Sequence, residues 1–154
     1  GALTGYADVV VAWADGRRAV VDLKWSGSAR YAEKLAQGRS LQLILYAEMV
    51  RQQWAGTPGL AYFIFDRGQL LATGPDGFPA AVQITATAPH RQLWQRFLRT
   101  WEWRQAQLRE GRVEIASVTP GSAEHLDEAP ADGLPLENMD PRYDDYRALT
   151  GWET

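Results

Sequence analysis

The chain has 154 residues, 45% of them hydrophobic and 23% charged, and a formal net charge of −3. It contains no cysteine, which excludes disulfides, zinc–thiolate sites and cysteine-ligated iron–sulfur clusters and fits a reducing compartment, so a cytoplasmic location is expected. No run is long and apolar enough to cross a membrane and none reads as a signal peptide, so no membrane partner is expected.

The length suits one domain with a sizeable core. The charge is unevenly spread. Residues 1–112 hold 14 Lys and Arg against 9 Asp and Glu, a net of +5, whereas residues 113–154 hold 2 against 10, a net of −8. The first segment suits a polyanionic partner and the second repels one.

Residues 7–13, Ala-Asp-Val-Val-Val-Ala-Trp, read as a strand. Ala14-Asp15-Gly16 follows, and residues 17–24 read as a second strand ending in Asp22-Leu23-Lys24. The pattern is that of a hairpin, and its loop length decides the chemistry. A two-residue Asp15-Gly16 turn would set Asp8 opposite Leu23 and send Asp8 and Asp22 to opposite faces. A three-residue loop with Gly16 in the left-handed region would set Asp8 opposite Asp22 on one face, Cβ atoms about 5 Å apart. Two carboxylates that close repel unless a cation lies between them. The expectation is the three-residue loop and a metal.

Asp22 and Lys24, two apart on a strand, also share a face. Taken alone, the pair reads equally as an ion pair at a strand end. Residues 25–28 read as a loop, residues 31–37 as a turn or two of helix broken near Gly38, and residues 41–54 as a stronger helix with Ser40 as its N-cap. Gln42 and Tyr46 lie four apart on one face of that helix. Strands are expected over 60–66, 69–73 and 81–85. A long helix runs from Pro89-His90 to about Glu110, with Leu93, Trp94, Phe97, Leu98, Trp101 and Leu108 as its packing stripe. Its five arginines read as a solvated face. His90 reads as a helix start and His125 as a residue of an acidic loop; neither reads as a ligand. From Val113 the chain is acidic and rich in Pro and Gly, with a short helix expected near 142–149. No glycine-rich phosphate loop or nucleophile elbow occurs.

The order Gly5-x-x-Asp8, Asp22-x-Lys24, Gln42-x-x-x-Tyr46 resembles the motif series of the PD-(D/E)XK nuclease superfamily, and within it the RecB-type nuclease domains. The resemblance implies an α/β, restriction-endonuclease-like core: a mixed sheet flanked by helices, with residues 1–112 as the nuclease core and residues 113–154 as an acidic extension packed on it or trailing it. It implies a metal-dependent deoxyribonuclease, part of a larger recombination, repair or defence protein and working beside a helicase or another domain. Asp8, Asp22 and the backbone carbonyl of Leu23 would hold Mg²⁺ or Mn²⁺. Lys24 would position or deprotonate the attacking water, or steady the phosphate. Gln42 and Tyr46 would contact DNA or the metal's surroundings. The alternative is a non-cleaving module of the same fold that binds DNA or protein. The family core places a helix and a strand ahead of the Gly-x-x-Asp strand, and this chain starts too late to hold them. Residues 141–152 resemble the tail of RecB-type nucleases that carry an iron–sulfur cluster, but without cysteines no such cluster is expected; a capping segment is the other reading.

Overall fold

The computed structural model describes residues 4–54, 56–73, 77–112 and 129–134. The segment that resembles a cluster-bearing tail, the helix expected near 142–149 and His125 all lie outside the described residues. The chain divides into two compact units, Gly1–Phe97 and Leu98–Thr154.

The first unit is a mixed five-stranded sheet with helices. In chain order it runs β1 (Val9–Ala12), β2 (Arg18–Lys24), α1 (Ser28–Ala36), α2 (Leu41–Gln53), β3 (Gly59–Ile64), β4 (Gln69–Thr73) and β5 (Val82–Gln83), and α3 (His90–Arg109) begins within it. The strands lie side by side in sequence order. β1 and β2 are antiparallel, β2 and β3 parallel, β3 and β4 antiparallel, β4 and β5 parallel. A parallel pair needs a long crossover, and α1 and α2 supply it between β2 and β3.

The hairpin loop has three residues. The Trp13 N–H donates to the Arg17 carbonyl at 3.1 Å and the Gly16 N–H to the Trp13 carbonyl at 3.0 Å. Gly16 has φ 91°, a conformation costly for any residue with a Cβ. The resulting register pairs Val9 with Val21 and Ala12 with Arg18. One step further along, Asp8 lies across from Asp22.

Strand alternation then sorts the side chains. Val20, Leu60, Tyr62, Ile64 and Leu71 turn to one face and pack on Leu35 of α1 and Leu43, Ala47 and Val50 of α2. Val21, Ala61 and Ala72 turn to the other, where Val11, Phe63, Leu70 and Phe78 lie against them. Asp22 shares the parity of Val20, so its carboxylate points into the helix-covered face. The expected packing stripe of α3 holds only at its start: Leu93 is buried against Ile44 and Ala88, whereas Leu98, Trp101 and Leu108 are exposed. In the second unit, the Leu134 N–H donates to Thr100 Oγ1 at 2.8 Å and Arg99 pairs with Asp132 at 3.3 Å.

Candidate active site

The C-terminal end of β2 carries the site. Asp22 is 1% exposed, although it is a carboxylate in a layer of valine, leucine and tyrosine. Burial of this kind is tolerated when the group is paired or put to use. Lys24 Nζ stands 3.0 Å from Asp22 Oδ2, as an ion pair without the alignment of a hydrogen bond. Oδ1 has no hydrogen-bond partner among the described residues. Asp8, just ahead of β1, is exposed; its Oδ2 accepts the Leu23 N–H at 2.9 Å. That bond spans the two strands and fixes the Asp8 carboxylate beside Asp22.

The two carboxyls are driven apart in proton affinity. Burial pushes Asp22 above the usual carboxylate range, and the Asp8 carboxylate adds to the push while Lys24 opposes it. The Leu23 N–H, chiefly, holds Asp8 below that range, helped by the Asp22 carboxyl.

Tyr46 lies half-buried against the main core, and its hydroxyl accepts from Gln42 Nε2 at 3.1 Å. Gly5 reaches the same ring: a Cβ there would stand 3.3 Å from a Tyr46 ring carbon and 3.9 Å from Met49 Sδ. A side chain at Gly5 would press on the Tyr46 ring, which would have to give by a few tenths of an ångström. Gly5 thus touches Tyr46, and three residues on Asp8 touches Leu23. The pieces that the sequence separates by some forty positions meet through these contacts.

A family model for the PD-(D/E)XK nuclease superfamily matches residues 1–121. The chain belongs to the PD-(D/E)XK nuclease superfamily. The match spans the whole sheet and α3, and the mixed α/β architecture is that of this nuclease fold. Membership supports a nuclease that cleaves phosphodiester bonds in nucleic acid. No curated protein and no solved structure matches the chain. No described helix of this PD-(D/E)XK chain is long and apolar enough to cross a membrane.

Whether the site suits a divalent cation is a matter of its donors. Among the described residues no group of three or more His, Cys, Asp or Glu is placed to hold a metal; the site offers two carboxylates. That set, with one carboxylate oxygen buried and unpartnered, suits a hard cation such as Mg²⁺, which keeps several waters and takes one or two carboxylates.

The structure also places other polar residues in and near the core. Glu48 is 4% exposed and is held by Arg51 through two bonds of 2.6 and 2.8 Å. The (i, i+3) spacing was the available signal. His90, the first residue of α3, is buried with Nε2 3.3 Å from the Ile44 carbonyl. Tyr31 lies with its ring centre 5.7 Å from Lys24 Nζ; nothing in the sequence ties it to Lys24, because α1 and its orientation are needed to bring the ring there.

Proposed function

We propose that this chain is a RecB-type, divalent-metal-dependent deoxyribonuclease domain that hydrolyses DNA phosphodiester bonds, within a larger protein of DNA recombination, repair or defence. The observation that carries the reading is Asp22: a buried carboxylate with an unpartnered oxygen, between Asp8 and Lys24. Asp8, Asp22 and the Leu23 carbonyl would hold Mg²⁺ or Mn²⁺. When bound, the cation polarises the scissile phosphate and acidifies a water.

The protein's own groups do the rest. Lys24 orients the attacking water or steadies the phosphate, its charge being compact and mobile on a flexible stem. Gln42 and Tyr46 face the DNA from α2. Binding is dominated by phosphate contacts and is indifferent to sequence. The cytoplasm, and a helicase or other domain of the same complex, supply the setting. Residues 1–112 form the nuclease core and residues 113–154 an acidic extension.

The test is a cleavage assay on single- and double-stranded DNA with Mg²⁺ or Mn²⁺. Asp22→Asn and Lys24→Ala are expected to lose cutting by a factor on the order of a hundred or more. Parent-like cutting by both variants would remove these residues from the site. A second reading, a module that binds nucleic acid without cutting it, is favoured by the two-carboxylate count. Calorimetry separates the two: no Mn²⁺ affinity, with DNA binding retained, selects the second.

A further inference from the structure

Lys24 is held from two sides. Its Nζ lies 3.0 Å from Asp22 Oδ2 and 5.7 Å from the centre of the Tyr31 ring, within the reach of a cation–π contact. The ring is itself fixed in place. Tyr62, 3% exposed, lies against it with ring centres 4.7 Å apart and planes tilted by 49°. Gly27 closes in from another direction, where an added Cβ would meet the ring at 3.4 Å. The Tyr31 N–H donates to the Gly27 carbonyl at 3.0 Å, so ring and loop are placed together.

The two holds on Lys24 respond differently to a cation. A divalent ion on Asp22 neutralises the carboxylate that attracts the ammonium and repels the ammonium directly. A lysine released in this way swings into water on its four-carbon stem. The face of an aromatic ring keeps its negative quadrupole whatever Asp22 binds. We propose that Tyr31 is the positioning residue for Lys24, keeping its ammonium at the site once the cation has taken Asp22. This role rests on the nuclease reading above. It belongs to the ring and not to the hydroxyl.

The experiment compares the parent with Tyr31→Phe and Tyr31→Leu. In the parent and in Tyr31→Phe, the ring current is expected to move the Lys24 ε-methylene protons upfield in the NMR spectrum, with and without Mg²⁺. In Tyr31→Leu they return to the position of a free lysine. In cleavage, Tyr31→Leu is expected to lower kcat about five- to tenfold with KM near the parent value, while Tyr31→Phe keeps the parent rate. Val50→Ala, a packing loss in the same core at the far end of α2, is the control; it is expected to melt lower and keep kcat. Three results each overturn the role: Lys24 resonances that do not move in Tyr31→Leu, parent-like kcat in Tyr31→Leu, or a loss in Tyr31→Phe as large as in Tyr31→Leu. A parent that fails to cut DNA with every divalent cation tried overturns the nuclease reading and this role with it. A parent that cuts, joined to any of those three results, removes Tyr31 alone.

Discussion

Asp22 faces opposing demands. In the folded metal-free chain, burial and the Asp8 carboxylate raise the proton affinity of Asp22. Binding a divalent cation needs it ionised. A carboxyl raised above its unfolded range favours folding below that range, and the contribution is lost as pH rises through the folded value. Asn mimics the neutral form. In chelator, Asp22→Asn is therefore expected to melt higher than the parent at neutral pH, by about 1 kcal/mol, with the gap closing in acid. Scanning calorimetry over that range checks the sign, and the same variant loses cleavage. Gly5 bears on cutting more than on stability. A valine there meets the Tyr46 ring and shifts the approach to Asp8. Gly5→Val is expected to slow cutting on the order of tenfold or more while the melting temperature moves little.

The hairpin is the element on which the site depends. Deleting Val10 from β1 keeps the loop and the Ala12–Arg18 pair but brings Asp8 opposite Val21, which sends it to the opposite face from Asp22. The deletion is expected to abolish Mn²⁺ binding in calorimetry while circular dichroism stays close to that of the parent. α2 packs its buried residues against the sheet that carries the site. Leu43 and Ile44 are both fully buried, and Leu43→Ala is expected to cost about 2–5 kcal/mol in urea unfolding. On the same helix, the Arg51 guanidinium holds the Glu48 carboxyl below the usual range against the pull of burial. A depressed carboxyl stabilises the fold above its unfolded value and ceases to as pH falls through the folded one. Arg51→Met is thus expected to lower the urea midpoint at neutral pH, with the difference shrinking in acid.

Across the whole molecule, the charge is divided between a net of +5 over residues 1–112 and −8 over residues 113–154. If DNA is the partner, the second stretch opposes binding through a field that salt screens over about 10 Å at 0.1 M. Replacing Glu114, Glu124, Asp127 and Glu128 by their amides is expected to tighten binding to DNA at low salt and to leave it little changed at high salt. Fluorescence anisotropy of a labelled oligonucleotide, titrated at several salt concentrations, measures both.

Local order was legible in the chain. Turn chemistry at Asp15-Gly16, the valine-rich runs of β1 and β2 and helical spacing from Leu41 onward are short-range signals, and each names its element without tertiary help. The motif order also sits in the sequence, because it is a list of residue types and spacings. Even the hairpin register was open to argument, since two carboxylates facing each other made sense only with a cation between them. Contacts set by three-dimensional packing were not legible. The approach of Gly5 to Tyr46 depends on where α2 lies over the sheet. The packing of α3 depends on which elements reach it: Leu93 meets Ile44 and Ala88, while Leu98, Trp101 and Leu108 are partly exposed. The sequence by itself determined which groups the site has to work with. Only the tertiary structure decided that Asp22 is buried, with one oxygen unpartnered, and that the Tyr31 ring stands over Lys24. Burial and ring placement are properties of the space between elements, and that space exists only once α1 and α2 have closed over β2.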